Sequence, residues 1–346
     1  MSRYRKPSLQ GFEPYVPGIQ PADGESWVKL NTNESPFSPA PGVAAAVAEQ
    51  VERLPLYPDP AQTALRQAVS ELYDVTPDQV VGGNGADEVL AMAVRAFVPR
   101  TGRAAYLEPS YTLLPKLLEI NDVEGEEHAF AEGYRLPEAF IDSTATLKFV
   151  VNPNSPTGTL LPLEDIAELC DRSAGVILLD EAYVDFSPRS GLEILNRHPN
   201  LLLVRSMSKS YGLAGLRVGF AIGAPDLVAD LWAVKDVCNL GRLPLAAATA
   251  ALQDPEHWRH NVERVVENRD RLGAALAARN WTVLPSGANF IFATPRQPAA
   301  EVYKHLLARH VLVRHFPKPS VSNGLRISIG TWDQCQAMLD ALDGSD

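Results

Sequence analysis

Residues 201–220, LLLVRSMSKSYGLAGLRVGF, crowd hydroxyls, an amine and guanidiniums into one short stretch. Leu201 to Val204 is a fully apolar run with the length and character of a buried parallel strand, and it stops at Arg205. Ser206, Ser208 and Lys209 follow at the end of that strand, before a glycine-rich return, Gly212 to Gly219, that carries Arg217. Ligands of open α/β sheets bind outside the carboxyl ends of the strands, so chemistry is expected here. A lysine amine forms Schiff bases with carbonyl compounds when its surroundings lower its pKa from about 10.4. Hydroxyls and an arginine beside it hold a phosphate. The partner implied is a carbonyl compound that bears a phosphate, which describes pyridoxal phosphate. Ser206 to Lys209 also spells the S-x-x-K of serine acyl transfer, but the S-D-N and K-T-G elements that accompany it are missing.

Other stretches end in groups of matching chemistry. Val176 to Leu179 is a second apolar strand that stops on Asp180, and a carboxylate at a buried strand end needs a cation. Val80 to Glu88, VVGGNGADE, reads as strand, glycine turn and helix start, where backbone N–H groups and the helix N-terminus favour an anion. It lacks the third glycine of G-x-G-x-x-G, which weakens a dinucleotide reading. Arg103 to Tyr111 and Lys148 to Gly158 each read as a strand ending in a turn. Arg326 sits opposite the apolar face of the alternating strand Leu325, Ile327, Ile329, where a planar guanidinium suits bidentate capture of a carboxylate or phosphate.

The segment Ser206 to Gly219, SMSKSYGLAGLRVG, resembles the lysine segment of the aspartate aminotransferase (fold type I) superfamily, with its greatest likeness to histidinol-phosphate aminotransferases. The resemblance implies that Lys209 carries pyridoxal phosphate and that Ser206, Ser208 and Arg217 bind its phosphate. It further implies that Gly85, Ala86 and Asp87 cup that phosphate, that Tyr111 stacks on the ring, that Asp180 pairs with the ring nitrogen, and that Tyr183 meets the ring hydroxyl. In N-P-N-S-P-T-G the family's asparagine before the second proline is Ser155, so either Ser155 or the adjacent Asn154 is the second contact of that hydroxyl. Leu30-Asn-Thr-Asn-Glu34 resembles an element bordering the substrate pocket, making Asn33 and Glu34 candidates; Tyr15 of the aromatic arm, Arg314 and Arg326 are the remaining substrate candidates. Tyr57 resembles a tyrosine that reaches into the neighbouring subunit's cofactor phosphate, which implies a homodimer with shared sites. The substrates implied are histidinol phosphate as amino donor and 2-oxoglutarate as acceptor, in histidine biosynthesis. Aromatic amino-acid aminotransferases and threonine-phosphate decarboxylase share nearly all these motifs. A non-catalytic cofactor-binding regulator is the reading from another class, and the pairing of Lys209 with Asp180 speaks against it.

Alternation of strands and helices from residue 29 to 245 predicts an α/β fold with a mostly parallel sheet sandwiched by helices. Residues 246–346 predict a smaller α+β unit, and residues 1–28, rich in proline, glycine and aromatics, an arm. A chain of 346 residues suffices for two domains at roughly 100 to 200 residues each. Its net charge of −11 leaves no basic excess to replace counterions, which disfavours nucleic acid or an anionic membrane as partner. Three separated cysteines suggest neither a disulfide framework nor a zinc site, and fit a reducing cytoplasm. No signal-peptide core or run of about 18 apolar residues is expected to target or span a membrane. The seven histidines form no H-E-x-x-H, so no metal is expected.

Overall fold

In the computed structural model, which describes residues 2–6, 9–22 and 25–344, the apolar runs lie side by side. After β1 (Val28–Lys29) come β2 (Val80–Asn84), β3 (Arg103–Glu108), β4 (Glu124–Ala129), β5 (Leu147–Val151), β6 (Val176–Asp180), β7 (Leu201–Ser206) and β8 (Val218–Gly223). Strands β2 to β8 form one sheet in the order β2-β8-β7-β6-β5-β3-β4. β8 is antiparallel to both neighbours and the other pairings of this sheet are parallel, so the remaining strands end at one edge. Side chains alternate between two buried faces, as the strand period requires. Ile177, Leu179, Leu201 and Leu203 enter one apolar cluster, while Leu178, Leu202 and Val204 enter the other. Burial on both faces explains why these strands read as unbroken apolar runs. Strand β4, Glu124–Ala129, has no counterpart among the expected strands: its residues EGEEHA carry no apolar alternation because it is an edge, paired on one side to β3.

The C-terminal part builds a second sheet from β9 (Thr282–Val283), β10 (Phe290–Thr294), β12 (Arg314–His315) and β13 (Leu325–Ser328), ordered β12-β13-β10-β9 and antiparallel throughout. The 24-residue helix Pro255–Ala278 packs beside it, with Val265, Leu272 and Leu276 in the shared core. The stretch Val311 to His315 is divided between two sheets: β11 (Val311–Leu312) pairs with β1, and only Arg314–His315 joins the second sheet. Both expected unit boundaries cut through elements. β1 spans 28/29 and joins β11, while the helix Arg242–Leu252 spans 245/246 and buries Ala247, Ala248 and Ala251 against the large sheet's core. Among the described residues no helix is long and apolar enough to cross a membrane.

Where β8 passes the start of the helix Gly85–Phe97, the backbones nearly touch. A Cβ on Gly219 would stand 2.5 Å from Ala86 N, 2.7 Å from Gly85 C and 2.9 Å from Arg205 O. These are backbone atoms, so no rotamer change could relieve the clash, and only glycine lets strand and helix start come this close.

Candidate active site

The strand ends of the large sheet converge on one pocket. It is lined by Ala86 and Asp87 beyond β2, Tyr111 beyond β3, Ser155 beyond β5, Asp180 and Tyr183 at the end of β6, and Ser206, Ser208 and Lys209 at the end of β7, with Arg217 ahead of β8. The second sheet and the arm close the other side with Arg314, Phe316, Arg326 and Tyr15. The pairing of β6 with β7 sets Asp180 opposite Val204, which brings the carboxylate and the Lys209 turn to the same edge.

An anion cradle lies at one end. Gly85 opens the helix Gly85–Phe97 at φ +74°, and Arg217 also adopts a positive φ of 53°. A Cβ at Gly85 would fall 2.4 Å from Arg217 Nη2, so only glycine lets the guanidinium lie against the helix start. Arg217 Nη1 donates to Ser208 Oγ at 3.1 Å, and Ser208 N donates to Ser206 Oγ at 3.3 Å. The first-turn N–H groups, two hydroxyls and a guanidinium match a phosphate. The Asp87 carboxylate stands at the rim of this cradle, accepting from Arg217 at 3.2 Å and from the Tyr111 hydroxyl at 3.1 Å. Burial, then the Asp87 charge, pushes the Tyr111 phenol above its ordinary range and keeps it a donor.

Deeper in, Asp180 is buried and accepts one hydrogen bond, from Ala182 N at 3.0 Å, with no ion pair among the described residues. Burial pushes its carboxyl up to about 7; the Asp87 and Glu181 charges add to the rise, against the Ala182 N–H and Lys209. The Lys209 amine donates to the Thr32 carbonyl at 3.3 Å and lies 5.7 Å from the centre of the Tyr183 ring. Asn33 Nδ2 donates to the Tyr183 hydroxyl at 3.0 Å, which leaves that hydroxyl's own proton free for a ligand. Asn33 is itself fixed by Ser328 Oγ at 2.8 Å and holds a left-handed φ of 56°.

On the far wall two guanidiniums meet. Arg314 and Arg326 face each other in the pairing of β12 with β13, an arrangement that repels unless an anion joins it. Arg326 donates to Ser155 Oγ at 3.2 Å and to the Asn31 carbonyl at 3.0 Å, while its buried Nε has no partner among the described residues. Burial lowers its pKa, with Tyr183 and Tyr15 opposing and Arg314 adding to the fall. Arg314 donates to the carbonyls of Pro17 (3.1 Å) and Val16 (2.8 Å), anchoring the arm, and the Tyr15 ring meets Tyr111 edge-on at 6.3 Å.

Not every expected residue reaches the pocket. Ser155 lines it, whereas Asn154 turns its amide into the neighbouring turn, donating to Pro109 O at 2.9 Å and Thr157 Oγ1 at 2.8 Å. Tyr57 is 88% exposed on the outer surface, away from the pocket of its own chain. Glu34 lies outside the lining and pairs with Lys29. Gly85 sits behind the wall, donating from its N to Arg217 O at 2.9 Å. Asn31, Thr32, Ser110 and Phe316 line the pocket without any mark of it in their type or spacing; Asn31 and Thr32 adjoin the Asn33 candidate, and Phe316 follows Arg314 by two positions.

The sequence matches the aminotransferase class I and II family over residues 25–342. The chain belongs to that family. The histidinol-phosphate aminotransferase of Syntrophotalea carbinolica is 42% identical over 330 residues, covering 95% of each chain. That of Chromohalobacter salexigens is 41% identical over 349 residues, covering 99% of each. A crystal structure of histidinol-phosphate aminotransferase from Sinorhizobium meliloti, in complex with pyridoxal-5′-phosphate, superposes with a TM-score of 0.89 at 24% identity, covering 99% of this chain and 97% of that one. This aminotransferase's own pocket fits that cofactor: an unpaired buried carboxylate suits a pyridinium, the cradle suits a phosphate, and an amine lines the same pocket.

The raised Asp180 carboxyl couples stability to pH. Its folded pKa, about 7, exceeds the ordinary 3.8, so the folded state holds an extra proton between those values. The cofactor-free protein should therefore lose stability as pH rises through that window, by up to roughly 1.4 kcal/mol per unit, and the loss is complete above it. Asp180→Asn removes the titration. Without cofactor it is expected to melt above the unsubstituted protein at pH 8 and level with it near the bottom of the window; with pyridoxal phosphate added at pH 8 the order should reverse. Thermal melts across pH, with and without cofactor, check this.

Proposed function

We propose that the protein is a pyridoxal-phosphate-dependent histidinol-phosphate aminotransferase that passes the amino group to 2-oxoglutarate, giving imidazole acetol phosphate and glutamate. The observation that carries the substrate reading is the pair Arg314 and Arg326, two guanidiniums in cross-strand register on the pocket wall without a carboxylate partner among the described residues. An amino donor that ends in a phosphate supplies the missing charge, and so does the second carboxylate of a dicarboxylic oxo acid. Curated relatives of that name at 42% and 41% identity support the same reading.

Ser206, Ser208, Arg217 and the helix start at Gly85–Asp87 would hold the cofactor phosphate, Tyr111 would cover the ring, and Asp180 would keep a proton on the ring nitrogen. Ser155 and Tyr183 would donate to the ring hydroxyl. When bound, pyridoxal phosphate supplies an aldehyde that takes up the amine and a protonated ring that draws electrons from the Cα–H bond. Lys209 Nζ is the base that removes the Cα proton of the donor and the acid that delivers one to the acceptor. Arg326 and Arg314 bind the substrate anion, and Asn33 orients Tyr183. The arm and the small sheet exclude water over this edge, as a lid on the large unit. The outward Tyr57 supports a homodimer in which each chain completes its partner's phosphate site; three free cysteines fit a cytoplasmic enzyme.

Four measurements test this reading. Lys209→Ala should abolish the yellow colour of the bound cofactor and turnover while the fold persists; a variant with normal turnover would contradict it. With 2-oxoglutarate as acceptor, kcat/KM should be greatest for histidinol phosphate; preference for phenylalanine, or carbon dioxide release from threonine phosphate, would favour the other readings. Arg326→Gln should raise KM for histidinol phosphate about 100-fold, since removing a buried charged partner is worth about 3 kcal/mol. Tyr57→Phe should weaken cofactor retention in a dimer, and a fully active monomer would exclude shared sites.

A further inference from the structure

Behind the pocket, on the opposite side of the same strands, lies a buried charge cluster that the proposed chemistry does not touch. Arg205, 4% exposed, ion-pairs through Nε with Glu181 at 2.9 Å and through Nη1 with Asp185 at 3.2 Å. Its Nη2 donates to Ser190 Oγ at 2.8 Å, and its guanidinium lies 5.0 Å from the centre of the Tyr73 ring. Glu181, 2% exposed, also accepts from Gly191 N at 2.6 Å and from Ser190 Oγ at 3.2 Å. The second oxygen of Asp185 accepts from Ser210 Oγ, and the Tyr73 and Tyr211 hydroxyls share a hydrogen bond of 2.9 Å. None of these side chains lines the pocket.

Four of them hold telling places in the chain. Glu181 follows Asp180, Arg205 precedes Ser206, Ser210 follows Lys209, and Asp185 comes two residues after Tyr183. Each of the four is thus covalently next to, or one residue removed from, a group that faces the cofactor site. Along β7 side chains alternate, so Arg205 tied down on the back fixes the direction of Ser206 on the front, while Glu181, Asp185 and Ser210 anchor the chain beside Asp180, Tyr183 and Lys209. A buried ion cluster is also a poor stability device: apolar residues of similar volume often serve as well or better. Its presence under these turns calls for another role.

We propose that Arg205 is a positioning residue for the aminotransferase reaction, bracing the turn after Asp180 against the turn that carries Lys209 through Glu181, Asp185 and Ser210. The proposal rests on the reading that Lys209 and Asp180 hold the cofactor between them. A brace of this kind needs the forked geometry of a guanidinium, because one side chain must reach Glu181, Asp185 and Ser190 together. A lysine keeps the charge and loses the fork.

The test compares Arg205→Lys with the double variant Arg205→Gln/Glu181→Gln, which replaces the Arg205–Glu181 pair by uncharged amides and leaves the Asp185 carboxylate to Ser210. Three readouts are taken on folded protein: the visible circular dichroism of bound pyridoxal phosphate, the cofactor dissociation constant of the apoprotein, and kcat and KM separately. Both variants are expected to lose roughly tenfold or more in kcat with little change in KM, to bind the cofactor more weakly, and to show a weakened cofactor dichroism. If Arg205→Lys does not fold, the double variant decides. Unchanged dichroism and kcat in the folded variant, or losses that only track the fraction unfolded, would overturn the proposal. An unsubstituted protein that bound no pyridoxal phosphate would instead overturn the reading beneath it.

Discussion

Two buried charges face the pocket with no ion-pair partner among the described residues: the Asp180 carboxylate on the strand edge and the Arg326 guanidinium across from it. An uncompensated buried charge is among the least favourable features a fold can contain. The rest of the structure holds both in place against that tendency. Asp180 is fixed by pairing of its strand to Val151 on one side and Val204 on the other, and the following Glu181 N donates to Val204 O at 2.8 Å. Arg326 is fixed by its register with Phe292 and Arg314. A ligand with a cationic ring nitrogen and a substrate with an anionic end would satisfy both at once.

The cradle follows the same logic with different materials. Backbone approach at Gly85 and Gly219, where a single methyl group would collide with Arg217 or with the Ala86 amide, brings N–H groups, hydroxyls and a guanidinium to one spot. The chain N-terminal to β2 then closes the other side. Asn31 Nδ2 donates to the Ile19 carbonyl at 2.8 Å, Asn289 Nδ2 to the Asn33 carbonyl at 3.0 Å, Asn33 Nδ2 to the Tyr183 hydroxyl at 3.0 Å, and Arg314 to Val16 and Pro17, so one strap joins the arm, the edge of the large sheet and the small sheet. Polar groups, rather than apolar contact, make many of these links.

Much of this is legible from residue types. Apolar runs such as Val176–Leu179 and Leu201–Val204 mark central strands because both of their faces are buried, and the polar residues that end them mark the ligand edge. β4 is not legible, since an edge strand of charged residues lacks the pattern that burial imposes. The division of Val311–His315 between two sheets depends on β1, far earlier in the chain, and no local pattern reports such a pairing. Within the site, the choice between Asn154 and Ser155 depends on turn geometry, and the turn sends the amide inward and the hydroxyl to the pocket. The Arg205 cluster escapes for a similar reason: Glu181, Arg205 and Ser210 each read as the ordinary neighbour of a more suggestive residue.

The central claim is that the Lys209 amine meets a cofactor aldehyde in this pocket. Borohydride reduction of the yellow protein followed by peptide mass spectrometry tests it most directly, because reduction makes the carbon–nitrogen link permanent at the residue that formed it. The pyridoxyl group should be found on Lys209 in near-stoichiometric yield. A label on another lysine, or protein left unlabelled after saturation with pyridoxal phosphate, would contradict it.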